Sequence, residues 1–376
     1  MPAPAAAVQS AFQASVSLIN QRVEIFEADA VTRWKNGAYD DRLIGGSITV
    51  DYSRDERRAF DITLDNSDHE LKYAPTEFWY NKILKPFSGI LYWNGSSWTT
   101  WEVQVGEFMI DKINESNFPY QIKASGRDYT KKCQLSKFVN ATAFADGTPI
   151  ENAIKAMAQN AGCTKFLIPV TGSSLGKDYY FERGVSRWDA MKQIAEAFGY
   201  ELFFDAQGYL VMREFLDPLQ APLSATLQTG PSVGNLASYD KSINDTRLYN
   251  HIVVTGESSD STILPVMAEA INTEPSSPTN IDSIGDRVYQ YTSSFITTTQ
   301  QAQDVADKFL KIHALEEFDL NFNAIAMPWL EVGEIIEFID PRPSAGQPTR
   351  FLLSSISVPL DLGPMSGNAK RVSVVG

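Results

Sequence analysis

The stretch PWLEVGEIIEFID, Pro328–Asp340, lies near the C-terminal end of the chain and predicts a turn followed by a strand. Its proline and glycine favour the turn, and the apolar residues after them favour the strand. A polar segment rich in proline comes next, then a second predicted strand over Phe351–Val358 and a basic closing strand over Lys370–Val375. Short strands joined in this way are typical of a small barrel, and none of these residues forms a catalytic pattern.

The N-terminal part of the chain, up to about residue 140, has the same character. Apolar and polar residues alternate over Ile48–Tyr52, Phe60–Leu64 and Tyr120–Ala124, which places the apolar side chains on one face of each predicted strand. Asn94-Gly95 lies between aromatic residues and predicts a tight hairpin. We therefore expect a first barrel here.

The segment that follows combines helices with strands. Thr148-Pro149-Ile150-Glu151 has the pattern of a capping box and predicts a helix that ends at Gly162. Ser186 is the predicted cap of a second helix over Arg187–Phe198. The turn Asp205–Gly208 then joins two strand-like runs. Together these elements predict a compact α+β module.

The last third of the chain returns to strands. His251–Gly256 predicts a strand, and the polar segment after it predicts an exposed loop. Thr298 and Gln301 have the capping-box pattern of a further helix, which we expect to pack beside a second barrel. The alternation over Leu320–Ala324 leads into the closing strands.

These patterns predict a β-rich α+β chain with several domains. We expect a first tube-like β-barrel over residues 1–140 with a flexible extreme N-terminus, and an α+β module over residues 141–217. A second tube-like β-barrel should span residues 218–376 and carry a loop and helix insertion at about 258–316. The α+β module should lie between the two barrels.

Composition narrows the classes of function. The chain has 376 residues, too many for one ordinary core, and a net charge of −14 that argues against holding nucleic acid by its phosphates. No apolar run is long enough to span a membrane and no signal peptide is evident, so we expect a soluble protein made in a cytoplasm, without membrane insertion. Cys133 and Cys163 lack metal-ligand spacing and lie in different predicted elements. We expect neither a disulfide nor a zinc site, only two small buried side chains.

Catalytic patterns are absent from the sequence, since no nucleophile motif, phosphate-binding loop or metal-ligand motif occurs. The best cation candidate, Asp65–Asp68 with Glu70, lacks the glycine and the spacing of a calcium loop and suits an Asx turn. Two acidic pairs could serve glycoside hydrolysis if their carboxyls lay close together, but exposed turn and helix-end positions explain them better. The acidic pairs are Asp40-Asp41 and Glu316-Glu317, and the three histidines are His69, His251 and His313. We predict no catalytic, cofactor-binding or metal-ligating residue, and no cofactor.

Tryptophans are concentrated in the predicted first barrel. Such side chains can bind sugars by stacking, but packing in a core or an interface explains them as well. The residues concerned are Trp34, Trp79, Trp93, Trp98 and Trp101.

One internal similarity is present. Phe108–Ile113 precedes the last predicted strand of the first barrel, and the similar segment Phe351–Ile356 precedes the last strand of the chain. Two barrels of one design would let three copies of the chain present six similar faces, and closed symmetric rings are the usual product of such repetition.

Four segments, taken in their order, carry a resemblance to a known family. They are the strand and turn Phe60–Asn66, the helix and hairpin Trp188–Arg213, the strand Asn250–Gly256, and the turn and strand Pro328–Glu337. In these segments the chain resembles the phage tail hub family. That family comprises baseplate hub proteins of contractile tails and the corresponding module of tail-associated, minor tail proteins in long non-contractile tails.

The resemblance implies a structural virion protein of the tail tip or baseplate, not an enzyme. It implies a homotrimer that forms a pseudo-sixfold ring between the hexameric tail tube and the threefold tip, through which DNA passes during genome ejection. The implied partners are further copies of the chain, a tail tube or distal tail protein, the tape measure protein, and central fibre or tip proteins. DNA would pass through the lumen without specific binding. Because the sequence ends at Gly376, just after the hub module, we expect any fibre or lytic domain on another chain.

Two other readings remain open at this stage. A tail-tip enzyme or carbohydrate-binding protein that acts on the host envelope would use the aromatic first barrel and the acidic pairs. An ordinary β-rich binding protein would be a monomer with a ligand pocket.

Overall fold

The computed structural model describes residues 4–13, 18–230, 234–243, 248–257, 265–314, 318–340 and 348–372. The helices are α1 (Ala6–Gln13), α2 (Thr130–Leu135), α3 (Ile150–Asn160), α4 (Arg187–Ala197), α5 (Ile281–Ile284) and α6 (Thr299–His313). The strands of the first half are β1 (Leu18–Phe26), β2 (Leu43–Asp51), β3 (Arg58–Asp65), β4 (Ile83–Trp93), β5 (Trp98–Gln104), β6 (Phe108–Asn117), β7 (Tyr120–Arg127), β8 (Thr142–Phe144), β9 (Phe166–Leu167) and β10 (Tyr179–Phe181). Those of the second half are β11 (Tyr200–Phe204), β12 (Leu210–Glu214), β13 (Leu223–Leu227), β14 (Leu236–Ile243), β15 (His251–Gly256), β16 (Met267–Ile271), β17 (Val288–Ser293), β18 (Phe318–Ala324), β19 (Ile335–Phe338), β20 (Thr349–Pro359) and β21 (Met365–Arg371).

One large sheet of thirteen strands dominates the described part of the chain. Its hydrogen-bonded path runs β1-β4-β6-β7-β3-β2-β20-β21-β18-β14, with β5 on β4, and with β19 joining β13 to β20. Alternation places one side of each strand inside: in β3, Phe60, Ile62 and Leu64 are buried and the residues between them are not. Side chains from both ends of the path pack into one hydrophobic core.

The structure confirms the predicted class, a β-rich α+β fold. The two tube-like barrels remain a prediction, because the strand pairings run from one predicted barrel into the other where β2 pairs with β20. The predicted strands over Ile48–Tyr52, Phe60–Leu64 and Tyr120–Ala124 are present as β2, β3 and β7. The last strand begins earlier than predicted, at Met365, and residues 373–376 lie outside the described part.

The large sheet consists of two arrays of six strands with the same order. We call β1-β4-β6-β7-β3-β2 the first array and β13-β19-β20-β21-β18-β14 the second array. Corresponding strands also follow one another in the same order along the chain. Only the outermost strand differs in direction, since β1 is antiparallel to β4 whereas β13 is parallel to β19.

The two arrays share their irregularities as well. The ladder of β6 with β7 shifts register after Ile110, and the ladder of β20 with β21 shifts after Leu353. The ladders of β2 with β3 and of β14 with β18 shift after Leu43 and Leu236. Bulges are specific features of a fold, so the sequence similarity of β6 and β20 extends to a structural repeat.

A second hydrophobic core contains the described helices α2, α3, α4 and α6. Three small sheets, β11-β12-β9, β16-β15-β17 and β10-β8, complete it. Trp188 of α4 is among its most deeply buried side chains. The helices predicted after residues 149 and 186 are therefore present, and so is the hairpin β11-β12.

The predicted position of α6 was wrong. Val305 and Phe309 of this helix belong to the second core, where α6 packs on β15 and β16. The small apolar residues Ala268 and Ala270 on β16 give the helix a close-fitting surface. The insertion therefore packs on the α+β module and not beside the second array.

Two predicted helix caps are confirmed. The Ser186 hydroxyl accepts a hydrogen bond from the backbone N–H of Asp189 at 3.0 Å, at the start of α4. The Thr298 hydroxyl accepts one from the N–H of Gln301 at 3.2 Å, at the start of α6. Both satisfy N–H groups that have no partner within the helix.

The capping box predicted for α3 was wrong. Pro149 occupies the cap position and no side-chain cap hydrogen bond is present there. Thr148 lies one residue too early, and its hydroxyl donates to the carbonyl of Ala145 at 2.7 Å instead. Glu151 accepts from the Thr171 hydroxyl at 2.9 Å.

Ion pairs join the turn between β2 and β3 to the second core, and the pair of Arg57 with Glu201 is buried. Arg57 Nη2 donates to Glu201 Oε2 at 2.7 Å, and Arg213 binds the other oxygen of the same carboxylate. Lys192 Nζ lies 2.6 Å from Asp55 Oδ1. The two bodies are thus held together by charge as well as by apolar contact.

Candidate functional surface

One face of the large sheet carries short polar side chains in two adjacent rows, which we call the polar rows. Each row crosses β2, β20, β21, β18 and β14 at paired positions. The first row is Thr49, Ser357, Ser366, Asn323 and Ser238, and the second row is Asp51, Ser355, Asn368, Asn321 and Asp240.

The polar rows result from strict alternation in each strand. Ile356 and Phe322 lie between row residues and are buried in the core, so their neighbours point the other way. Asn368 Nδ2 donates to Asn321 Oδ1 at 2.9 Å, and Asn323 Nδ2 donates to Ser238 Oγ at 2.9 Å. A shallow depression of about 430 Å³ lies over this face.

The middle of the polar rows carries no charge. Asp51 and Asp240 stand at opposite ends of the second row, and neither row contains lysine or arginine. Lys241, beside Asp240, binds Asp340 Oδ2 at 2.6 Å. Five strands span roughly 19 Å, so the face is broad as well as neutral. The two rows themselves offer hydrogen bonds but no cation for a phosphate, and the pair of Asp319 and Lys370 lies beside the second row.

The three histidines contact aromatic rings or carboxylates. His69 packs edge-on against Tyr120, with 4.2 Å between ring centroids. His251 Nδ1 lies 2.9 Å from Asp286 Oδ1. Burial in the second core lowers the pKa of His313 to about 4. The three lie on a turn, a strand and a helix, and none has a cysteine or serine nucleophile among these contacts.

The cation candidate of the sequence is an Asx turn. Asp65 accepts hydrogen bonds from the N–H of Ser67 at 3.1 Å and from its hydroxyl at 2.9 Å. Arg42 Nη1 donates to Asp68 Oδ1 at 2.6 Å and helps to lower the pKa of Asp68 to about 2. Across the described ranges, no group of His, Cys, Asp or Glu side chains could hold a metal ion.

The acidic pairs do not form a described catalytic site. Asp40 is buried, binds Arg33, and accepts from the N–H of Ile25 at 3.2 Å. Its neighbour Asp41 is exposed. The other pair, Glu316-Glu317, lies outside the described residues.

The tryptophans divide into two groups. Trp34 is buried, and Trp79 and Trp101 are half-buried. Trp93 and Trp98 flank the predicted hairpin turn, are 54% and 50% exposed, and contact each other edge to face with ring centroids 6.0 Å apart. Packing thus accounts for the first group and leaves the second on the surface.

The two cysteines are buried, as expected, and they are close together. The Sγ atoms of Cys133 and Cys163 are 3.5 Å apart. The first lies in α2 and the second follows α3, so only the packing of the two helices reveals their proximity.

The polar rows were missed in the sequence, although a signal was present. Half-buried strands usually have polar residues at their outward positions. In β18, β20 and β21 several of these positions carry short neutral side chains, with the charged Asp319 and Lys370 next to them. The sequence does not show that these positions lie side by side, because that depends on strand order.

The described residues include no helix that is both long and apolar enough to cross a membrane.

Comparisons with known proteins connect this fold to phage tails. No family model matches the chain, and no curated protein matches it. A tail protein from Neisseria meningitidis MC58 is similar with a TM-score of 0.60 at 15% identity, over 94% of this chain and 96% of that chain. The prophage MuSo2 tail protein from Shewanella oneidensis is similar with a TM-score of 0.59 at 13% identity, over 93% of this chain and 98% of that chain. The prophage tail protein gp18 from Listeria monocytogenes EGD-e is similar with a TM-score of 0.54 at 11% identity, over 93% of this chain and 94% of that chain. The resemblance seen in the sequence is confirmed at the level of the fold.

Proposed function

We propose that this chain, which has the fold of phage tail proteins, is a structural virion protein of the tail tip or baseplate. Its role is that of a hub: a homotrimeric ring with pseudo-sixfold symmetry that joins a hexameric tail tube to a threefold tip. The observation that carries the proposal is the presence of two equivalent strand arrays in each chain. Three copies would place six arrays around one axis, which matches six tube subunits.

The polar rows support a channel that DNA can pass. We assign them to the inner wall of the ring, where neutral side chains that bond to one another would not hold phosphates. The net charge of −14 adds general repulsion.

The second core supplies the outer part of the proposed hub. Its helices and small sheets are attached to the β2–β3 connection of the first array through the buried pair of Glu201 and Arg57. In this proposal the first array, the α+β module and the second array correspond to the three predicted domains. The tail tube or distal tail protein, the tape measure protein and the central fibre or tip proteins are the proposed partners besides further copies of the chain.

Imaging tests the ring directly. Purified chain is examined by negative-stain electron microscopy with two-dimensional averaging, and mass photometry is run on the same sample. Annular particles with threefold symmetry and the mass of a trimer are expected. Compact monomers that persist after tail tube protein is added would contradict the proposal. Core substitutions such as Phe351→Asp are unsuitable here because the side chain is buried and the chain would unfold.

A carbohydrate-binding role has one observation in its favour, the exposed pair Trp93 and Trp98. Such a site would quench or shift tryptophan fluorescence when host envelope saccharides are added, and Trp98→Ala would abolish the change. An unchanged spectrum at millimolar saccharide would remove this alternative. Release of peptidoglycan fragments by the pure chain would instead identify an enzyme.

A further inference from the structure

The contact between β2 and β20 is the only strand pairing that joins the two arrays among the described strands. β2 is the last strand of the first array, and β20 is the third strand of the second. The repeat relates each strand of one array to a strand of the other. Exchanging the two arrays therefore replaces β2 by β14 and β20 by β6. The chain therefore contains a second pair of strands with the same relationship and no contact.

Both of these strands have an unused edge. β14 pairs with β18 on one side and has no other described partner strand. In β6, Phe108 and Met109 pair with β4, but the second half, Lys112–Asn117, pairs only with β7. In β20 the corresponding half is the part that pairs with β2. An unpaired strand edge is a template for another chain.

The shared bulges align the two arrays residue by residue. Counting from the bulge after Leu43 in β2 and after Leu236 in β14, Val50 corresponds to Ile243. Counting from the bulges in β6 and β20, Ile356 corresponds to Ile113. Within the chain, Val50 pairs with Ile356. The register of the missing contact follows from this correspondence.

We propose that β14 of one copy pairs antiparallel with Lys112–Asn117 of β6 in a second copy, with Ile243 opposite Ile113. This inference rests on the proposed function only for the number of copies that associate, which is three. The strand edges and the register come from the repeat within one chain.

The burial of the paired residues supports this contact. Val50 is 2% exposed because β20 covers it, whereas its counterpart Ile243 is 79% exposed. Ile113, the counterpart of the buried Ile356, is only half-buried. A partner strand in the proposed register would cover both isoleucines at once, which favours association.

The remaining pairs are chemically complementary. Counting along the antiparallel strands from Ile243 and Ile113, Ser242 stands opposite Asn114, and Lys241 stands opposite Glu115. The first pair can form a hydrogen bond and the second an ion pair. No like charges oppose each other in this register.

The proposed contact is of the head-to-tail kind. Each copy offers β14 at one end of its sheet and β6 at another place, so one contact leaves both copies able to bind a further copy. Such contacts give a ring if the rotation closes and a filament if it does not.

A designed disulfide tests the register. In Ser242→Cys/Asn114→Cys the two new thiols would face each other across the junction of two copies, where opposed Cα atoms in an antiparallel pair are about 4.5 to 5.5 Å apart. Mild oxidation should give covalent dimers and trimers that a reductant reverses. The matched control, Ser238→Cys/Asn114→Cys, displaces one thiol by four residues, roughly 13 Å, and should give no such products. The native Cys133 and Cys163 are buried and lie 3.5 Å apart within one chain, so their oxidation would give an intrachain bond and no covalent dimer.

The outcomes distinguish a failure of the proposed strand pairing from a failure of the proposed hub function. Rings without the 242–114 cross-link would overturn the register and leave the hub intact. Cross-linked open filaments would support the register and contradict the threefold ring. Absence of any specific cross-link at high protein concentration would overturn the inference.

A second variant tests the exposed isoleucine without disturbing the core. Ile243→Asp should weaken self-association about tenfold or more, measured by mass photometry over a dilution series, because a carboxylate would be buried against Ile113. Val170→Asp is the control, since Val170 is 84% exposed in the α+β module. Equal association of the two variants would contradict the proposed contact.

Discussion

Asp128 is a buried carboxyl at the point where β7 ends and α2 begins. It accepts hydrogen bonds from the N–H groups of Arg58 and Thr130, both at 2.9 Å, and burial raises its pKa to about 6. Its contribution to stability is therefore complete below about pH 4 and is lost as the pH rises through 6, by about 3 kcal/mol. Asp128→Asn should remove this loss. Urea denaturation at several pH values from 4 to 7 would measure the free energy of unfolding of both proteins. The same dependence of this free energy on pH in Asp128→Asn as in the unsubstituted protein would contradict the prediction.

His313 has the opposite dependence. Because burial lowers its pKa to about 4, the folded protein favours the neutral ring, and stability is lost as the pH falls from about 6.5 towards 4. The expected loss is about 3 kcal/mol, and His313→Gln should abolish it. The two groups oppose each other in the unsubstituted protein. Comparing each variant with the unsubstituted protein in the same denaturation series separates the two effects. If the free energy of unfolding of His313→Gln depended on pH in the same way as that of the unsubstituted protein, His313 would not be the group responsible.

The two thiols that lie 3.5 Å apart should form an intrachain disulfide with little movement of the backbone. The hydrogen bond from Cys133 lowers the pKa of Cys163, which favours attack by the latter sulfur. Treatment with hydrogen peroxide should lower the intact mass by about 2 Da and remove both titratable thiols. Cys133→Ala removes this hydrogen bond, so the buried Cys163 thiol should then react more slowly and no disulfide should form within the chain. Two intact thiols after peroxide would disprove the prediction.

At the scale of elements, the two caps give a direct comparison. Ser186→Ala removes the hydrogen bond to the N–H of Asp189 and should cost about 1 kcal/mol in the free energy of unfolding. Thr148→Ala removes a hydroxyl that does not cap α3 and should cost less. Chemical denaturation of both variants measures the difference. Equal costs would show that the hydroxyl at position 186 does not stabilise the helix.

Much of the local structure could be predicted from the sequence. Alternation located β2, β3 and β7, and caps with apolar stripes located α4 and α6. The partner of each element could not be predicted in the same way. The stripe of α6 is equally suited to either hydrophobic core, and only the fit to Ala268 and Ala270 selects one.

The candidate surface was less predictable than the elements. The polar rows combine residues from five strands that are up to about three hundred positions apart in sequence, and their adjacency follows from strand order and register. The similarity of Phe108–Ile113 to Phe351–Ile356 was visible. Its extension to six strands with equivalent bulges required the pairings themselves.

At the scale of the whole molecule, Glu201 connects the two hydrophobic cores. Glu201→Gln would leave Arg57 buried without its counter-charge, and we expect a loss of about 3 kcal/mol or more. Glu257→Gln breaks the exposed pair with Lys177 and should cost less than about 1 kcal/mol. Thermal unfolding followed by calorimetry measures both. Equal melting temperatures would indicate that the Glu201 pair contributes nothing to the junction.

Two lysine substitutions would give the polar rows a positive charge. Asn321→Lys/Asn323→Lys would place cations in the middle of the face, and duplex DNA should then bind with a salt dependence that the unsubstituted protein lacks. Fluorescence anisotropy at several salt concentrations measures this. Asn152→Lys/Asn160→Lys, on the exposed side of α3, adds the same charge elsewhere and should bind more weakly. Similar binding by both variants would mean that the face has no special position relative to DNA.

The repeat also shows where the chain has been free to grow. The connection from β2 to β3 consists of residues 52–57, whereas the equivalent connection from β14 to β18 consists of residues 244–317 and carries part of the second core. The same point of the sheet thus accommodates either a short turn or a folded insert, while the strands on both sides keep their register. New binding specificities could therefore evolve, or be grafted by design, at the short connection without any change to the face that we assign to DNA.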